Sequence, residues 1–257
     1  MIANYHTHTP RCHHAAGTET EYARCAFEAG LQKLGFSDHT PYPFPENHVS
    51  TFRMEMAQLA EYTASVRAVR AEYAGRMEIF LGVETEFYLK YFDRLLPVLR
   101  DQGVEYMILG QHFLYNEVEG IGSIGPTADE TLLRQYCDQT IDALYTGLFT
   151  YFAHPDLMHF MGDDAVYRKQ IHRLCRAAKA CDIPLEINLL GIFLGRHYPN
   201  RRFWEIAAEE GCRVILGCDA HRPDAFLNPK PEAEARKMVA ELGLQLLEDI
   251  PLRGISR

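Results

Sequence analysis

The residues that could do chemistry in this chain gather at its start. The run YHTHTPRCHH places His6, His8, His13 and His14, four of the twelve histidines, within nine positions. His6 and His8 are two apart, so on a strand both imidazoles project from the same face. The same reading applies to Asp219 and His221 in the run GCDAH. Imidazole and carboxylate together suit a divalent cation, because each offers a lone pair and the carboxylate brings compensating charge.

Further residues of this kind recur at regular intervals. Short apolar runs, each followed by polar groups, read as strands: IANYHTH, KLGFSDH, EIFLGVETEF, YMILGQH, FTYFAHPD, PLEINLL and RVILGCDAH. Their ends deliver His6 and His8, Asp38 and His39, Glu84, His112, His154, Glu186 and Asn188, and Asp219 and His221. Apolar strands do not bury unpaired polar groups without a cost of a few kcal/mol, so so many imidazoles and carboxylates imply a shared partner. More than one metal ion is expected. His13 and His14 are adjacent and do not easily face one site, so one is expected as a ligand and the other as a bystander. His172 falls in a predicted helix and is read as a surface residue. Cys12 is read as a free structural thiol, and Asp38 as a group that orients a neighbouring ligand.

The elements that must position these groups alternate. Between the seven strands lie about seven segments of helical periodicity. One starts at Thr18, where Glu21 completes a capping box, and ends at Gly30. The longest is expected over about 50–75. Another begins at Thr127 with a second capping box from Glu130. Others cover about 164–181, 200–211 and 231–243. Strict alternation predicts parallel strands joined by right-handed crossovers. The expected fold is therefore α/β, a seven-stranded and somewhat irregular TIM-like βα barrel, with an open doubly wound sheet as the competitor. In such a barrel the C-terminal strand ends open onto one face. The 257 residues suit one barrel of this size, and no Pro, Gly or Ser stretch suggests a linker, so a single domain over 1–257 is expected.

Composition narrows the function. The formal charge is −9 and no Lys/Arg run exceeds two residues, which argues against nucleic-acid binding through a basic stripe. No apolar run approaches a membrane span and no secretory leader is evident, so no membrane partner is expected. The seven cysteines include no C-x-x-C pair and read as reduced thiols of a cytoplasmic protein.

Taken jointly, YHTHTPRCHH, GFSDHTPY, GVETEF, GQHF, FAHPD and GCDAHRPD, spread over 5–224, resemble the polymerase-and-histidinol-phosphatase (PHP) superfamily. The resemblance implies a distorted (β/α)7 barrel with a trinuclear centre of zinc, manganese or iron at its mouth. By position, His6, His8, Glu84 and Asp219 would hold one ion. Glu84 would bridge to a second, completed by His112 and His154. His14, His39 and His221 would hold a third; the T-P-x-C-x-H opening selects His14 over His13, and the G-x dipeptide selects Glu84 over Glu86. A hydroxide held among His6, His8, Glu84, Asp219, His112 and His154 would attack phosphorus. The short length, E-I-N on strand six and the loop with H-Y-P resemble histidinol-phosphate phosphatases, and so a role in histidine biosynthesis on a small phosphorylated metabolite. The chain departs from the family where FAHPDLMHFMG offers only His159 as a basic residue after the strand-five histidine. The loop LLGIFLGRHYPNRR supplies Arg196, His197, Arg201 and Arg202 instead, and Arg196 is the expected phosphate contact. Glu186 and Asn188 would meet the substrate's amino group or close the barrel floor. Two other readings remain: a phosphoesterase acting on nucleotides or oligonucleotides, and a catalytically silent metal-binding module.

Overall fold

In the computed structural model, which describes residues 1–255, every named strand pairs in parallel with its sequence neighbour. The strands are β1 (Ala3–Asn4), β2 (Lys33–Phe36), β3 (Glu78–Thr85), β4 (Tyr106–Leu109), β5 (Phe149–Phe152), β6 (Leu185–Asn188), β7 (Arg213–Gly217) and β8 (Gln245–Leu247). Their spatial order is their chain order, with no reversal point, so the sheet is not doubly wound.

The eighth strand departs from the expected seven. β8 pairs with the first half of β7, over Arg213–Ile215. Beyond that pairing the seven-strand arrangement returns. The chain after β1 reaches the chain after β7 directly, through a parallel bridge between Thr7 and Ala220. His8 N donates to Ala220 O at 2.9 Å and Ala220 N donates to His6 O at 3.2 Å. β8 thus lies at the closed end, and the mouth is ringed by seven strands. QLL is too short and too little buried to stand out as a strand in the sequence.

The helices are α1 (Glu19–Glu28), α2 (Leu59–Glu72), α3 (Leu89–Asp101), α4 (Glu130–Tyr145), α5 (Asp164–Ala180), α6 (Leu189–Leu194), α7 (Arg201–Glu209) and α8 (Pro229–Leu242). The capping box at Thr18 and Glu21 forms as expected. The one expected at Thr127 does not. Asp129 caps α4 by accepting from Thr131 N, because the Thr127 backbone is committed to pairing with the 159–161 segment. Helix α2 begins at Leu59 rather than near residue 50. Residues 40–55 form an irregular loop instead, with a turn at 46–47 and bends at 51–53, and they carry Arg53 into the interior, where it is 1% exposed.

Two apolar cores result. The larger lies between strands and helices. The smaller fills the barrel and includes Tyr5, Tyr106, Ile108, Tyr151 and Ile215. Tyr106 Oη crosses the barrel to donate to Tyr5 O at 2.9 Å. This packed floor leaves the polar strand ends at the other face.

Candidate metal centre

Each group at the mouth is placed by the end of a strand. His6 and His8 follow β1, His39 follows β2, Glu84 lies near the end of β3, His112 follows β4, His154 follows β5, and Asp219 and His221 follow β7. His154 and Asp219 adopt positive φ, 33° and 47°, at the points where the chain leaves its strand. Such backbone is uncommon outside glycine and is found at functional sites.

Glu84 and Asp219 are the hubs. Glu84 Oε1 lies 2.7 Å from His154 Nε2 and 3.6 Å from His112 Nε2. Its Oε2 lies 3.0 Å from His39 Nδ1 and 3.6 Å from both His6 Nε2 and His8 Nε2. Asp219 Oδ1 lies 3.0 Å from His8 Nε2 and 3.4 Å from His6 Nε2. Close approach here depends on glycine. A Cβ at Gly110 would stand 2.0 Å from Glu84 Oε1.

The other ring nitrogens reveal which atoms are free. His6 Nδ1 donates to Glu186 at 2.8 Å and His8 Nδ1 to Asp38 at 3.3 Å. His112 Nδ1 donates to Glu86 at 2.9 Å. His14 Nδ1 donates to Cys12 O at 2.6 Å, and His221 Nδ1 donates to Asp219 O at 2.9 Å. In a neutral imidazole that leaves Nε2 as a lone pair. In that neutral form five histidines turn Nε2 lone pairs toward the same carboxylates or toward each other. His14 Nε2 and His221 Nε2 face one another across 2.9 Å with no proton left to share. His6 Nε2, His8 Nε2, His39 Nδ1, Glu84 Oε2 and Asp219 Oδ1 are buried without a hydrogen-bond partner. Orphaned acceptors crowded together are what divalent ions resolve, and the tethered Nδ1–H is the usual outer support of a metal-binding histidine. The donor set fits such ions. Donor atoms lie within 4.8 Å of one another in the trios His6, His8, Asp219; His6, Glu84, His154; and His14, His39, His221.

Electrostatics follow the same geometry. Burial pushes Glu84 up, but His112, His39 and His6 outweigh it and hold the carboxyl well below its ordinary range. Burial likewise acts against Asp219, and His6, His221 and His8 reverse it. Burial lowers His8 too, yet Asp219 and Asp38 push it up to about 9. His221 goes the other way, down to about 3, through burial and repulsion from His8. The cluster therefore cannot be fully protonated, and several rings stay neutral, the form that binds metal.

The remaining expected residues divide. Of the adjacent pair, His14 is the ring that stacks on His221, at 4.6 Å between centroids. Asp38 stands behind His8 and also accepts from Thr9 Oγ1 and His39 N. Glu186 and Asn188 do not face open space. Glu186 holds His6, in room that a Cβ at Gly217 would fill, and Asn188 Nδ2 donates to Glu186 at 2.8 Å and to Asp219 at 3.1 Å. Both are occupied with the polar cluster rather than with the cavity.

That cavity, of about 820 Å³, opens beside the cluster and is lined by His14, His39, Glu84, His112, His154, Asp219 and His221. Phe52, Leu157, Leu190 and Phe193 form an apolar wall, and Arg196 and Tyr198 a polar corner. Arg196 Nη1 donates to Tyr198 Oη at 2.6 Å. His197 turns away from this space. Its Nε2 donates to Leu157 O at 2.9 Å and its ring stacks on His159 at 4.0 Å. Arg201 pairs with Glu205 and Glu241, and Arg202 with Asp164, outside the cavity.

Sequence reasoning missed Arg53 and gave Glu86 no role. Glu86 could have been found, since it shares a strand face with Glu84. Arg53 sits in a loop whose sequence carries no periodic signal.

Comparison with known proteins finds relatives over most of the chain. A probable histidinol-phosphatase of Deinococcus radiodurans is 33% identical over 234 residues, covering 86% of this chain and 87% of that protein. The histidinol-phosphatase of Bacillus subtilis is 29% identical over 115 residues, 42% of this chain and 43% of that one. Among solved structures, the histidinol phosphate phosphatase of Lactococcus lactis, complexed with zinc, L-histidinol and phosphate, superposes with a TM-score of 0.74 at 18% identity, covering 100% of this chain and 98% of that one. Residues 4–189 match the family model of the PHP domain. With well over half its length so matched, the chain belongs to the PHP domain family.

Proposed function

We propose that the chain is a metal-dependent phosphomonoester hydrolase acting on histidinol phosphate, with two to three divalent ions held by His6, His8, His14, His39, Glu84, His112, His154, Asp219 and His221. The observation that carries this reading is the set of buried nitrogen and oxygen atoms without a hydrogen-bond partner, on His6, His8, His39, Glu84 and Asp219, that face one another at the barrel mouth. The share-out proposed is His6, His8, Glu84 and Asp219 for one ion, Glu84, His112 and His154 for a second, and His14, His39 and His221 for a third. When bound, such ions supply an ionised water at neutral pH and neutralise the oxygens of a phosphoryl group.

The chain's own residues do the rest. Glu186, Asn188 and Asp38 fix His6, Asp219 and His8 in place. Arg196, steadied by Tyr198, reaches phosphoryl oxygens with a guanidinium suited to bidentate contact. The apolar wall of Phe52, Leu157, Leu190 and Phe193 covers the organic part of the substrate and limits water. All seven cysteines are free thiols, which supports work in a reducing, cytoplasmic compartment. Zinc supports the reading best, since the similar Lactococcus lactis enzyme holds it.

Phosphate release from L-histidinol phosphate and from bis-nitrophenyl phosphate by zinc-loaded protein tests the proposal. Turnover of the monoester in excess of the diester is expected. Preference for the diester would favour a nucleotide or oligonucleotide phosphoesterase. Zinc binding without hydrolysis of either would make the chain a silent metal-binding module.

A further inference from the structure

His112 is the least enclosed of the histidines around Glu84. Its side chain is 20% exposed, against 5% or less for His6, His8, His39 and His154. Burial does not fix its ring, so something else must. Its Nδ1 donates to Glu86 Oε1 at 2.9 Å, and Glu86 is itself gripped from behind. Arg53 Nη2 donates to Glu86 Oε1 at 2.8 Å and Nη1 to Oε2 at 3.0 Å. The same guanidinium donates through Nε to Glu117 at 2.7 Å and through Nη1 to Thr40 O at 2.8 Å. It is 1% exposed and packs over the Phe52 ring at 4.2 Å. An arginine forked onto two carboxylates and a carbonyl has almost no freedom left.

We infer that Arg53 is a positioning residue for the metal centre: it locks Glu86, and Glu86 fixes the tautomer and direction of His112, so that Nε2 is presented beside Glu84. This rests on the proposed metal reading. Arg53 touches neither ion nor substrate in this role. It acts by keeping the Glu86 carboxylate in the one orientation that receives Nδ1–H. A lysine would retain the charge and lose the fork, because an ammonium cannot bond both oxygens in a plane. A glutamine at 86 would retain the shape and lose the charge that makes the bond to His112 strong.

Zinc titration against a competing chromophoric chelator, on wild type, Arg53→Lys and Glu86→Gln, tests the chain of contacts. Circular dichroism and thermal melting report whether each variant folds. In both variants one zinc equivalent should weaken roughly 10–100-fold while the others keep their affinity. A wild-type-like titration in both folded variants overturns the inference. Wild-type protein that takes up no zinc overturns the metal reading itself, a distinguishable result. A measurement on zinc-loaded wild type does not depend on variant folding: long-range proton–nitrogen spectra should show His112 protonated at Nδ1. Protonation at Nε2 instead contradicts the inference.

Discussion

At the scale of single residues, removal of a hub or its partner should separate chemistry from folding. His6→Ala or Asp219→Ala is expected to lower turnover of histidinol phosphate roughly 10³-fold or more with the circular dichroism spectrum retained. Loss of less than tenfold would take that residue out of the reacting centre. Gly110→Ala makes a sharper test of geometry, because its methyl would overlap Glu84 Oε1. It should weaken zinc binding although it removes no ligand; unchanged affinity would mean that Glu84 need not stand where it does. Arg196→Ala should raise KM about tenfold with kcat little changed, if its proposed place is on phosphate rather than on the ions. Much of this residue-level arrangement was legible beforehand. A histidine pair at spacing two announces a shared face, and five strand ends that carry histidine announce a common mouth. The backing groups were not legible. Nothing in the spacing of Glu186 or Asn188 says whether they face substrate or the back of His6, because the choice depends on rotamers set by neighbours such as Gly217.

At the scale of elements, the barrel floor holds the strand ends in register. Tyr106 Oη bonds Tyr5 O on β1's continuation and lies 3.2 Å from Phe36 O on β2, tying three strands together. Tyr106→Phe should cost about 1 kcal/mol, seen as a drop in Tm of roughly 2–4 °C. A variant as stable as wild type would mean that packing alone sets the register. Most strands and helices were readable as apolar runs and periodic segments. The exceptions share a cause: tertiary contacts override local signals. Thr127 loses its capping role to backbone pairing with residues 159–161, and α2 starts late because the loop before it delivers Arg53 to Glu86 and Glu117. β8 pairs only with the closed end of β7, so its three residues need no strong pattern of their own.

At the scale of the whole molecule, a chain of net charge −9 places a phosphate-binding reading on an acidic protein. Bound cations reconcile the two, since they reverse the local field where substrate enters. Protons and metal ions then compete for the same atoms. In metal-free protein His8 is pushed up to about 9 by its carboxylate neighbours despite burial. Its folded value lies above its unfolded one, so its stabilising contribution is full below pH 6.5 and is lost as pH rises through 9. Melting of metal-free protein should therefore weaken across that interval. Zinc displaces the same proton, so zinc affinity should climb roughly tenfold per pH unit below pH 9 for each proton released. A pH-independent affinity would mean that zinc binds away from His8. The most direct single measurement is the metal content of protein purified after zinc supplementation and exhaustive dialysis. About two to three tightly held equivalents are expected, falling in His6→Ala and Asp219→Ala. Protein that folds normally and retains no zinc would contradict the idea that these nine side chains form a metal cage.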